Sequence, residues 1–181
     1  MKKIAIKIVV VTLSFVPIVS SAQITKQDSI WLPMKVFIGN WSGPSEGEPG
    51  KGNSERSYQF VLNKKYIEIK NKSVYPPAGE NKKEQTHEDI GYISYDRMRK
   101  LFVFRQFHIE GFVNEYKLES ILPDSKSLVF ISENIENIPA GWRARETYRI
   151  INEDEFTETF ELSEPGKDFS IYSSATFKRR K

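Results

Sequence analysis

The chain has no cysteine and only two histidines, His87 and His108, among its 181 residues. The first absence excludes a disulfide-stapled scaffold and every thiolate-ligated zinc or iron–sulfur centre. The second leaves imidazole-based metal sites short of ligands. No G-x-S-x-G elbow occurs, and the glycines between Gly43 and Gly52 precede a strand rather than open a helix, so neither a nucleophile elbow nor a phosphate cradle is supported. Past residue 22 no apolar run approaches the ~20 residues of a membrane-spanning helix. What is plentiful is aromatic surface: 12 Phe, 8 Tyr and 3 Trp are too many for a solvated coil.

Met1 to Ala22 carries Lys2, Lys3 and Lys7, an apolar stretch from Ile4 to Val19, and the small residues Ser20-Ser21-Ala22 at its end. A basic start, a greasy middle and a small-residue exit describe a cleaved secretory leader, so the protein is expected to be exported, periplasmic or secreted, with no stable membrane anchor. The formal charge of +3 comes from 27 basic and 24 acidic residues, and removal of the three leader lysines makes the remainder neutral. A nucleic-acid partner is therefore not expected, and the closing Lys178-Arg179-Arg180-Lys181 reads as a solvated terminus. The expected organisation is a leader over 1–22, a lead-in over 23–32 and one domain over 33–181.

Asp28 to Ile38 supports a turn or two of helix capped by Asp28 or Ser29. Beyond it the pattern is alternation broken by turn residues. Strands are expected over 38–43, 57–62, 66–74, 88–95, 100–108, 113–122, 127–135, 143–151, 155–162 and 170–178. The tract Pro44 to Ser54, with Gly47, Gly50, Gly52 and Pro49, reads as a mobile loop, and Pro76 to Lys83 as a second. Ten short strands with antiparallel-type turns and no crossover helix form a meander, and closure into a barrel removes its exposed edges. The expected fold is all-β, a closed antiparallel up-and-down barrel of about ten strands with a short N-terminal helix. Such a barrel is wide enough to keep a cavity above a filled base.

The segment Phe37-Ile38-Gly39-Asn40-Trp41-Ser42-Gly43 places G-x-W-x-G on the first strand after a short helix. This resembles the amino-terminal signature of the lipocalin or calycin group, and more closely the ten-stranded barrels related to nitrobindin. The stretches 107–114 and 133–148 are similar to an uncharacterised bacterial lipocalin-like family. The resemblance spans about residues 33 to 178 and implies a fold in which Trp41 plugs the barrel base. Haem-bearing members carry a ligating histidine on the last strand. The matching position here is about Tyr172, ahead of Ala175-Thr176-Phe177-Lys178, so the resemblance implies haem only through a ferric tyrosinate, and no cofactor is expected.

His108 and Glu110 are two apart, a spacing that lets a carboxylate orient an imidazole or both groups ligate a metal. His87 and Asp89 repeat it. With no third histidine, no metal site is expected. On the strand from Arg143, one face carries Arg143, Arg145, Thr147 and Arg149. The other carries Ala144, Glu146, Tyr148 and Ile150, following Trp142. The second face reads as inward, leaving the arginines to pair with acids such as Glu158 or Glu161. The alternative turns Arg143 and Arg145 into the mouth to hold an anion. An inward Glu146 demands a partner, and Arg105, on the otherwise apolar face Leu101-Val103-Arg105-Phe107, is the expected one.

These readings converge on an exported barrel that binds a small, apolar or amphipathic molecule. The expected ligand-binding residues are Trp41, Tyr58, Phe60, Tyr95, Arg105, Phe107, His108, Glu110, Trp142, Glu146 and Tyr148. Two alternatives stay open: acid–base or haem-dependent catalysis in the same cavity through His108–Glu110 or Tyr172, and a ligand-free interaction barrel using the loops 44–54 and 76–84.

Overall fold

The computed structural model describes residues 29–79, 83–121 and 126–181. The leader, Asp28 and most of the turn at Pro123 to Lys126 lie outside the described residues. A helical turn at Ser29 and Ile30 leads through Trp31 into a 3-10 helix, Leu32–Phe37. Trp31 is the N-cap of that helix and makes no side-chain capping bond. Pro33 suits the position, since its missing N–H would have no helical partner there.

Ten strands follow: β1 (Gly39–Gly47), β2 (Gly50–Val61), β3 (Tyr66–Tyr75), β4 (Gln85–Asp96), β5 (Leu101–His108), β6 (Val113–Ile121), β7 (Ser127–Glu136), β8 (Arg143–Asn152), β9 (Glu155–Ser163) and β10 (Ser170–Arg179). Each pairs antiparallel with its sequence neighbours, and β1 pairs with β10 to close the barrel. The meander and the closure are as the alternation predicts. One expectation is corrected: Pro44 to Ser54 is not a loop. β1 and β2 run through it in continuous register from Gly39–Tyr58 to Gly47–Gly50 around a tight turn at Glu48 and Pro49. Gly43, Gly47 and Gly52 serve close backbone approach, and Gly50 supplies the positive φ of the turn. At the closing seam β1 pairs Trp41 and Ser42 with Arg179 and Lys178, then resumes at Ser45 with Ala175. Gly43 lies between, where a Cβ would stand 1.8 Å from the Thr176 carbonyl oxygen.

One end of the barrel is plugged. Trp31 and, from the 3-10 helix, Met34 and Phe37 insert and meet Trp41, Phe102 and Phe156, all buried. Trp41 Nε1 donates to Phe37 O at 2.6 Å, and the Arg179 guanidinium lies 4.1 Å over the Trp41 ring while donating to Ile38 O and Val36 O. The last strand is thereby tied to the first and to the plug. The aromatic floor above it comprises Tyr58, Phe104, Tyr116, Phe130, Tyr148 and Phe156, with Phe104 stacked on Tyr116 at 5.4 Å.

The seam yields a prediction. Gly43→Ala forces β10 away from β1 and is expected to cost ~2 kcal/mol or more through overpacking. A lowered midpoint in urea with an unchanged slope would show it, and an unaltered midpoint would mean that the seam is looser than described.

Candidate functional site

Above the aromatic floor the inward face changes character in a single step of two residues on six strands. Tyr58 gives way to Arg56, Ile69 to Asn71, Phe104 to Gln106, Tyr116 to Asn114, Tyr148 to Glu146 and Phe156 to Glu158. Asp89 of β4 joins the same layer. The result is a buried polar ring across the barrel. Above it lies a cavity of about 230 Å³, lined by Ser73, Tyr75, His87, His108, Phe112, Ile135, Ile138, Phe160, Leu162 and Tyr172. Pro49, Phe112 and Ile138 belong to the β1–β2, β5–β6 and β7–β8 connections, so the cavity opens at the end opposite the plug.

Within the ring, Arg56 grips Glu158. Its Nε donates to both carboxylate oxygens at 3.2 Å and its Nη2 to Oε1 at 2.6 Å, with each side chain only 9% exposed. Burial alone would lower the Arg56 pKa, but Glu158 outweighs it and holds the guanidinium above its ordinary value. Asp89 Oδ1 accepts from Asn71 Nδ2 and Gln106 Nε2, both at 2.8 Å. Burial still pushes its carboxyl up to about 6 against the pull of Arg56. Glu146 is 5% exposed, and its Oε2 has no partner. Burial first, then the nearby Glu158, drive its carboxyl well above the usual range, with Arg56 opposing.

The walls carry both histidines. His87 Nδ1 lies 2.6 Å from Glu110 Oε1; a carboxylate only accepts, so Nδ1 donates, and Nε2 is buried without a partner. His108 stacks on Phe112 at 4.0 Å and meets Asn114 Nδ2 through its Nε2. Burial depresses its imidazole to about 4, with Glu110 pulling the other way. Among the described residues no three His, Asp or Glu converge as a metal cluster.

Of the residues expected from sequence, His108, Glu110 and Glu146 line the cavity. Tyr58 and Tyr148 form the floor beneath the ring. Trp41, Phe60 and Tyr95 pack at the plugged end, with Phe60 against Trp31 and Tyr95 against Phe102. Trp142 precedes β8 half-buried and does not line the cavity. Arg105 and Phe107 face solvent, and the expected Arg105–Glu146 pair does not form; Arg105 Nη2 donates to Glu115 Oε1 at 2.9 Å on the outer face. The reason is local. Phe102 and Phe104 give the opposite face of β5 an equally apolar start, and the Phe104 ring fills the space over Gly91, where a Cβ would meet it at 2.5 Å. Glu110 lies on the turn after β5 and pairs with His87 rather than His108. Arg145 binds Glu161 on the outer face and Arg143 donates to Ser163 Oγ, as the outward reading has it, whereas Glu158 points inward to Arg56. Sequence reasoning missed Arg56. Its phase with Tyr58 and Phe60 was the available signal.

Tyr172 reaches the cavity from an irregularity between Ile171 and Ser173 that re-aims the strand, and its ring packs edge-on against Phe160 at 5.7 Å. A haem does not fit these residues. The cavity is smaller than the roughly 300–1,000 Å³ of pockets that enclose drug-sized molecules, and its floor is a ring of buried charges instead of an apolar slot.

Asp89 and His108 give the site opposed pH dependences. Between its ordinary pKa near 3.8 and about 6, Asp89 keeps in the folded state a proton that the unfolded chain has lost, so its contribution to stability declines as pH rises. Between 6.5 and about 4, His108 refuses a proton that the unfolded chain binds, so its contribution declines as pH falls. Urea titrations across this window should show Asp89→Asn gaining on the wild type by up to ~3 kcal/mol as pH rises, and His108→Gln losing by a similar amount. Parallel curves for all three proteins would contradict the burial of these groups.

No protein-family model and no curated protein matches the chain. Among solved structures it is similar to Rv2717c from M. tuberculosis, with a TM-score of 0.60 and 15% identity over 84% of this chain and 98% of that one. A de novo designed fluorescence-activating β-barrel matches at TM-score 0.41 and 16% identity over 81% of this chain and 95% of that one. A redesigned β-barrel matches at 0.40 and 9%, over 81% and 94%. The likeness to Rv2717c shows a shared barrel fold.

Proposed function

We propose that this protein is an exported barrel that binds a small, partly apolar molecule in its mouth cavity. The observation that carries the reading is the pairing of an apolar wall with unmet buried polar atoms. Gln106 Oε1, Asn114 Oδ1, Glu146 Oε2 and His87 Nε2 have no partner, all on residues that line one cavity. Buried polar atoms without partners are costly, by ~1–3 kcal/mol each, and a guest that meets them recovers part of that cost. Tyr75, Phe112, Ile135, Phe160, Leu162 and Tyr172 supply the apolar contact that retains the guest's body. Export rests on the Met1–Ala22 pattern.

Skatole, a neutral bicyclic molecule, tests the reading by calorimetry. Saturable binding to the wild type is expected, weakened about ten-fold or more in Ile135→Trp, whose larger side chain occupies the cavity. Binding that is indifferent to Ile135→Trp would move the guest elsewhere and end the proposal.

A further inference from the structure

Two of the unmet atoms in the cavity are fixed as acceptors by the bonds their partner atoms already make. Gln106 turns its NH₂ onto the Asp89 carboxylate at 2.8 Å, which fixes Oε1 as its free end, since the reverse orientation would set oxygen against oxygen. Asn114 commits Nδ2 to Tyr116 Oη at 2.7 Å and to His108 Nε2, leaving Oδ1. Glu146 Oε2 lies unpartnered in the same cavity and accepts once its carboxyl is ionised. The charge has the same sign. Glu146, Asp89 and Glu158 meet in one layer with Arg56, whose Nε and Nη2 are engaged by Glu158 and whose Nη1 donates to Glu55 O and Ser73 Oγ. An anionic guest would meet three acidic side chains and an occupied guanidinium, whereas a donor-bearing cation would meet the free oxygens of Gln106 and Asn114.

Resting on the reading of the cavity as a binding site, we infer that its guest is an organic amine, with a protonated nitrogen seated against Glu146, Gln106 and Asn114 and a ring-sized apolar body between Ile135, Phe112 and Phe160. The groups facing Glu146 are Arg56 from β2, Asp89 from β4, Tyr116 from β6 and Glu158 from β9, with Tyr58 and Tyr148 beneath it and Glu161 further out on β9. Burial and Glu158 favour the neutral carboxyl in the free protein. An ammonium placed against it reverses that balance, so amine binding sends the Glu146 proton to solvent, and a neutral guest leaves it in place.

Tryptamine, skatole and indoleacetate share an indole ring and differ in the charge of the appended group, and calorimetry of the full chain with all three decides the matter. Tryptamine should bind about ten-fold more tightly than skatole, and skatole more tightly than indoleacetate. Glu146→Gln should bring tryptamine close to skatole, weakening tryptamine far more than skatole. In buffers of different ionisation heat, tryptamine should release a proton from the wild type and skatole none. That arm decides if Glu146→Gln does not fold. Equal affinities, tightest binding of indoleacetate, equal proton release, or a tryptamine preference that survives in folded Glu146→Gln would each overturn the amine while leaving the cavity as a binding site. Failure of all three compounds to bind the wild type would overturn both.

Discussion

The Arg56–Glu158 pair is the interaction on which the rest of the interior depends. It links β2 to β9 across the two strands between them, β1 and β10, which form the seam where the barrel closes. A buried ion pair repays its desolvation only with near-ideal geometry and further hydrogen bonds. Here the guanidinium meets both carboxylate oxygens, takes Ser73 Oγ and Glu55 O on its other arm, and lies 4.9 Å from the Phe177 ring. Removing either partner would strand a charge in the middle of the barrel. The pair thus clasps the seam from inside at mid-height, as Arg179 does at the plugged end.

Once that pair is in place, the other two acids of the ring are in excess, and burial decides their state. Asp89 receives two amide donors and still has its carboxyl raised to about 6, so desolvation outweighs the bonds it accepts. Glu146 lacks such donors on Oε2, and burial drives its carboxyl well above the usual range. One arginine cannot neutralise three carboxylates, so burial favours the neutral form of the two it does not grip. A ring arranged this way holds more acid than its one guanidinium can match, which suits it to a cation.

The barrel itself was legible because closure follows from a count of turns and the absence of crossover helices, neither of which depends on knowing which way a side chain points. The site depends on exactly that knowledge. On β8 the faces are unequal, Ala144 and Tyr148 against three arginines and a threonine, and Glu146 was placed inward correctly. On β5, Phe102 and Phe104 oppose Leu101 and Val103, so alternation carries no preference, and Arg105 was turned the wrong way. On β2 the segment Gly50 to Ser57 is polar throughout, which hid the inward phase of Arg56 behind an apparent loop. Shifts in pairing between Glu115 and Tyr116, Leu118 and Ser120, and Ile171 and Ser173 leave an extra residue on β7, β6 and β10 in turn and break the two-residue period there. Alternation fails where registers slip, and one of those slips delivers Tyr172 to the cavity.

The depth of the cavity is set by where the six strands change from apolar to polar. A side chain as large as Phe or Tyr on the inward face fills its share of the barrel; Asn, Gln and Glu at the next inward position reach less far and must remain where their polar ends have partners. Had the change come one inward step nearer the mouth on each strand, aromatics would occupy the level of Ser73, His87 and His108 and the barrel would be solid. Had it come one step nearer the plug, polar groups would displace Tyr58, Phe104 and Tyr148, and the core that holds the strands together would be lost. The ring therefore sits at the height at which the closed sheet keeps both a packed base and a hollow mouth, and the burial cost of its carboxylates is inseparable from the existence of the cavity above them.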